Sequence, residues 1–216
     1  MESVDLGGVE DDFTVHLMHF KQALGIAKDT LLKVLKRHKE WTLIDASRGT
    51  FSFNEFQICR RVVPGRPERY VHVIKDHEQV TRATWDRDIF RETQEHETYK
   101  EPEGDITVVR NVCGEHTVLG VYNRTYNCST QTHMIVFRSI AEHPHILDAK
   151  TTLSKPVTAC CVVRALENDT SEVILICDIV DAKILAARLD RYARVVGKWT
   201  EFYPPSTNSK VVENRK

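Results

Sequence analysis

What this chain lacks narrows its possible roles before anything it contains. It has almost no net charge: 30 Lys and Arg stand against 31 Asp and Glu, a formal −1 over 216 residues. A nucleic-acid binder needs a basic face to displace phosphate counterions, so the balance predicts no nucleic-acid partner. Long apolar runs are absent as well; the segments that exist, such as VILIC, have strand length and fall far short of a membrane span. The first residues, MESVDLGGVEDDF, are acidic and carry no apolar core of a secretory leader, so a cytoplasmic location is expected. The sequons at Asn123, Asn127 and Asn168 then read as chance matches.

The signatures of metal and nucleophile chemistry are missing too. The six cysteines (Cys59, Cys113, Cys128, Cys160, Cys161 and Cys177) form no C-x-x-C pair and show no Cys/His zinc spacing. In a reducing compartment they read as small buried hydrophobes. Among ten histidines there is no H-E-x-x-H and no Cys-His signature, and the chain has neither G-x-S-x-G nor a glycine-rich phosphate loop. His16 and His19 lie in a helical stretch without a matching carboxylate pattern, and His143 and His145 flank Pro144 in a turn. The expectation is a protein that is not an enzyme, with no catalytic residues, no metal and no cofactor.

What is present is one domain's worth of periodic sequence. Residues 1–11 are expected to be a flexible N-terminus, 12–203 a single domain and 204–216 a flexible C-terminal tail. Phe13, Leu17, Phe20, Leu24, Leu31 and Leu35 recur at helical steps and predict a helix from Phe13 to His38, with Asp11 or Asp12 at its start. WTLIDAS from Trp41 and FSFNEFQICRRVV from Phe51 switch to strand chemistry around a turn at Ser47–Thr50. Pro64, Gly65 and Pro67 break that run. Tyr70, Val73, Ile74 and His77 then share a helical face behind Pro67, which suits a first turn. After Trp85-Asp86 come strand-like runs in succession, among them DITVVRNVCG, TVLGVYNRTYN, THMIVFRSIA, VTACCVVRAL and EVILICDIV, separated by turn residues such as Asn168-Asp169. Short connections predict an antiparallel sheet. A last helix follows, capped by Asp181, with Leu185, Leu189, Tyr192, Val196 and Trp199 on one stripe. That helix can lie across the concave side of a curved sheet and leave an apolar tunnel.

The order of elements, with Pro67-Glu68 opening the short helix, Trp85-Asp86 ahead of Arg87-Asp88-Ile89, and the alternating strand Thr132–Arg138, resembles the steroidogenic-acute-regulatory-related lipid-transfer domains, or START domains. The resemblance runs from about Phe13 to Phe202. It departs at Thr132-His133-Met134, where the family usually has Arg-Asp-Phe. It departs again in the first strands, which are shortened, and in the four residues Asp178–Asp181 before the last helix, where the family has a longer, gating connection. The resemblance implies an α+β helix-grip fold: a curved antiparallel sheet around a long C-terminal helix, with an N-terminal helix. It implies non-enzymatic binding and transfer of a lipid or sterol in an internal cavity, with transient contact to a membrane surface. The alternatives are a helix-grip enzyme of the cyclase/hydrolase type and a regulatory interaction module with a collapsed cavity.

Site candidates follow from both sources. Met134, Val136 and Arg138 share a strand face by two-residue spacing. The resemblance implies that Arg138 lies inside the cavity, paired with an acid on a neighbouring strand; that position falls near Asn111 here. Val157, Ala159, Cys161 and Val163 make a small apolar face that suits a cavity wall and equally a tight core. Leu185, Leu189 and Tyr192 of the last helix would cover it. Trp85 reads as a structural anchor.

Overall fold

The protein is represented by a computed structural model that describes residues 7–75, 95–100, 106–113, 116–142 and 155–203. In chain order these are α1 (Gly7–Lys36), β1 (Thr42–Asp45), β2 (Thr50–Phe53), β3 (Phe56–Pro64), α2 (Pro67–Lys75), β4 (Glu95–Lys100), β5 (Ile106–Cys113), β6 (His116–Asn127), β7 (Thr132–Ser139), β8 (Thr158–Ala165), β9 (Thr170–Cys177), α3 (Ala182–Gly197) and the one-turn α4 (Trp199–Phe202). Nine strands form one sheet in the order β1-β2-β3-β9-β8-β7-β6-β5-β4. Every pairing is antiparallel. Two meanders, β1–β3 and β4–β9, are therefore zipped together where β9 pairs β3.

The local chemistry accounts for most boundaries. The run from Phe51 breaks into two strands because Asn54 takes a left-handed backbone, φ 51°, and turns the chain at Asn54-Glu55. Asn168 and Asp169 do the same between β8 and β9, with φ of 57° and 52°, in a conformation their short polar side chains tolerate. Pro67 begins α2 as expected, and the Tyr70 hydroxyl donates to the Pro64 carbonyl at 2.7 Å, folding that helix back on its own strand. Asp181 caps α3 by accepting from the Lys183 N–H at 2.7 Å. α1 starts at Gly7, so residues 7–11 are helical where a flexible end was expected; the acidic first turns carry no apolar period to announce them. Trp85-Asp86, His143, His145 and the stretch 204–216 lie outside the described residues.

The sheet buries both faces. One packs Ile58, Ile106, Val108, Leu119, Val121, Met134, Val136, Cys160, Val162, Ile174 and Ile176 against Phe20, Leu24, Ala27, Leu31 and Val34 of α1. The other packs Cys59, Val63, Ile135, Cys161, Val163, Val173, Leu175 and Cys177 against α2 and α3. α3 crosses β2, β3 and β9, while α2 lies beside it over β7 and β8. The two-sided cover explains why β8 and β9 read as near-continuous apolar runs rather than as alternating ones.

Candidate ligand-binding face

The pairing register decides which candidates can act together. In β7 and β8, Arg138 stands opposite Thr158, Phe137 opposite Ala159, Val136 opposite Cys160, and Ile135 opposite Cys161. Residues directly opposite one another share a face. Arg138 and Val136 therefore belong to the α1 face, with Thr158 and Cys160. Ala159 and Cys161 belong to the α3 face, with Leu185, Leu189 and Tyr192. The predicted set is thus split by the thickness of the sheet. Spacing places residues within one strand, but the phase between strands is set by the pairing, and a one-residue change exchanges the faces.

Arg138 has found partners of its own. Its guanidinium donates to the Thr158 hydroxyl. The acid whose charge it feels is Asp178, in the β9–α3 connection. Burial raises the Asp178 pKa, opposed by the Thr158 N–H and by Arg138, and both carboxylate oxygens accept from that N–H at 3.0 Å. The expected partner position, Asn111, lies on β5, paired with Val118 and His96, with β6 between it and β7. The Asn111 side chain is outside the described set. The group reads as a brace tying the start of β8 to the end of β9.

The α3 face is tightly packed in one part and open in another. Leu185, Ala186, Leu189, Val195 and Val196 of α3 are buried against β3 and β9, with Leu189 at 0% exposure. A row then runs across the sheet in register from Cys177 through Ala159 and Phe137 to Tyr122. Cys177 is buried, but Ala159, Phe137 and Tyr122 are only partly covered, although they sit on inner strands beside a closed core. Gly120 keeps this floor low: a Cβ there would lie 2.2 Å from Phe137 Cζ, so the ring rests directly on the glycine backbone.

One functional candidate was missed. Arg188 projects from α3 with its charge felt at Cys177 and Tyr192. Its Nε is buried and has no hydrogen-bond partner. The sequence carried a signal for it. At about 100° per residue, Arg188 falls between Val195 and Tyr192, inside the apolar arc rather than on its solvent edge.

Among the described residues, His133 is the other with buried polar atoms lacking a partner, at both ring nitrogens. It sits on the same face and stacks on Tyr126, with centroids 4.4 Å apart. Burial lowers its pKa below the ordinary 6.5; Arg124 acts in the same direction and Glu68 opposes them. A histidine that is more acidic folded than unfolded contributes full stability above the unfolded value. That contribution declines as pH falls below about 6.5, because the unfolded chain then binds the extra proton. His133→Phe should flatten this part of the stability profile, measured by urea denaturation between pH 7.5 and 5. An unchanged slope would show that the ring titrates freely. The buried thiols are inert by contrast: burial pushes Cys59 up to about 11 and Cys160 and Cys161 higher still, so none of these three presents a nucleophile.

Among the described residues no group of His, Cys, Asp and Glu could hold a metal ion, and no helix is long and apolar enough to cross a membrane. No sequence-family model matches the chain, and no curated protein matches it in sequence. Solved structures do match its fold. The human StarD13 (DLC2) lipid transfer and protein localization domain superposes with a TM-score of 0.55 at 11% identity, covering 77% of this chain and 96% of that one. Human StAR-related lipid transfer protein 5 gives 0.52 at 10%, with 82% and 94% covered. Human STARD10 gives 0.51 at 12%, with 76% of each chain. The chain has the α+β helix-grip fold of these START structures: a curved antiparallel sheet with its C-terminal helix held against one face.

Proposed function

We propose that the protein binds one hydrophobic small molecule, a lipid or sterol, between the sheet and α3, and carries it without chemical change. The observation that supports this is the partly covered row Ala159, Phe137 and Tyr122 on inner strands of the α3 face, continuous with a closed core. Apolar surface left open there is completed by an apolar guest, at about 0.8 kcal/mol per methylene withdrawn from water. Ala159, Cys161, Leu185, Leu189 and Tyr192 then form or back the wall of the site; Arg138 and Val136 stand outside it. Two of the matching structures are lipid-transfer domains, which agrees with this reading by fold. Loading needs a transient opening beside α3 at a membrane surface. The exposed Ile179 in the β9–α3 connection and Lys183 in the first turn of α3 suit such an approach.

A second reading has an observation in its favour. Leu185 and Leu189 are so fully buried that the face under α3 is solid along its β3 and β9 side. A collapsed site would make the domain an interaction module. Fluorescent sterol and phospholipid titrations, with native mass spectrometry of lipids retained on purification, separate the two. Binding of at least one class is expected. Ala159→Trp, which fills the floor, should weaken it by roughly tenfold or more; Arg138→Leu should leave it within about twofold, because that side chain lies across the sheet. No retained lipid and no saturable binding would leave the interaction module.

A further inference from the structure

We infer that the ligand's polar end is an anion, a carboxylate or phosphate, and that Arg188 holds it. This deepens the apolar-ligand reading and rests on it. Most other described arginines are either paired or open to water. Arg37, Arg48, Arg60, Arg61, Arg66 and Arg164 each pair with a carboxylate within ion-pair distance; Arg69, Arg124 and Arg194 are exposed, and Arg138 donates to Thr158. Glu172, the buried acid, is held by two of them. Arg188 has no carboxylate partner among the described residues, and its Nε–H is buried without an acceptor. The groups that feel its charge, Cys177 and Tyr192, cannot supply a counterion near neutral pH. Burial raises the pKa of both, which keeps them neutral.

A guanidinium in the apolar arc of a sheet-facing helix is costly unless something compensates it. The compensation can come from a guest. Nε–H and a neighbouring Nη–H point along one edge in a fixed fork that fits the two oxygens of a carboxylate or phosphate. A sterol hydroxyl offers one acceptor and leaves the charge uncompensated. The strand register supplies the rest of the ligand: Cys177, where the charge of Arg188 is felt, starts the floor that continues over Ala159 and Phe137 to Tyr122, about 14 Å across the strands. An anionic head at α3 with an acyl chain laid along that row satisfies both halves of the site.

Head groups on one chain test this directly. Oleate, oleyl phosphate and oleyl alcohol would be titrated calorimetrically below their aggregation concentrations, with acetate and inorganic phosphate as head-only controls. Wild type should bind at least one anion about tenfold or more tighter than the alcohol, and whichever anion binds tighter identifies the head. Arg188→Leu and Arg188→Gln should reduce that preference to about twofold or less while alcohol binding persists. Arg188→Lys, which keeps the charge, should retain part of the preference; it and the wild-type comparison decide the matter if the neutral variants fail to fold. Equal affinity for alcohol and anions, or a preference that survives Arg188→Leu, would overturn the assignment while leaving the apolar site standing. Failure of all three amphiphiles to bind would overturn both. Saturation by acetate or phosphate alone at the same concentrations would make it an ion site and not a lipid head-group site.

Discussion

Leu189→Asp is expected to unfold the domain. Leu189 has 0% exposure and stands mid-helix in the stripe Leu185, Leu189, Tyr192, Val196. That stripe seals α3 onto β2, β3 and β9. Truncation to alanine alone should cost about 2–5 kcal/mol, through lost transfer energy and the cavity left behind. Aspartate adds the cost of burying a carboxylate, and the sum reaches the whole stability of a typical domain, about 5–15 kcal/mol. Circular dichroism should show no cooperative melt for Leu189→Asp and a lowered, still cooperative one for Leu189→Ala. A Leu189→Asp protein that melts like wild type would mean that α3 does not rest on the sheet, and the proposed ligand site would go with it.

Gly65→Ala should be strongly damaging for so small a change. Gly65 lies between β3 and α2 with φ 109°, in the region that disfavours a side chain, and an added Cβ would sit 2.4 Å from Val196 Cγ1. The backbone has little room to yield. The Gly65 N–H donates to the Asp169 carbonyl at 2.7 Å, and its own carbonyl accepts from the Ser171 hydroxyl at 2.7 Å. Strain of about 1–3 kcal/mol from the dihedral and a similar amount from overpacking give a loss of about 2–5 kcal/mol. At this size that is a fall of roughly 5–15 °C in melting temperature. Adding Val196→Ala should recover the overpacking part and leave the dihedral part. Wild-type stability of Gly65→Ala would show that the C-terminal end of α3 is not seated on this turn. The proposed ligand site lies nearer the other end of the helix, so binding to the folded fraction should change less than stability.

How much could be read in advance differs from element to element for physical reasons. α2 was legible because Pro67 fixes a first-turn geometry and Tyr70, Val73 and Ile74 repeat with the helical period. α3 was legible because its cap and stripe are both local. The division of the run from Phe51 into β2 and β3 was not, since Asn54 can take either sign of φ and only the closed meander requires the positive one. The cover of α1 over the second face of the sheet left no local mark beyond its own stripe. That stripe says that a face is buried, and not against what.

The sequence by itself determined the class of the fold, the order of its elements and the alternation within each strand, because helical and strand periods are properties of short stretches of chain. It also determined that α3 carries an arginine inside its apolar arc. Only the tertiary structure decided what those patterns face. The opposition of Arg138 to Thr158, rather than to Ala159, comes from strand pairing across a long connection, and it moved the expected polar group to the far side of the sheet. The same packing turned Arg188, one of many charged residues in the sequence, into a half-buried cation whose Nε is enclosed without a partner. Whether a charge is solvated, paired or left needing a partner depends on which surfaces close around it.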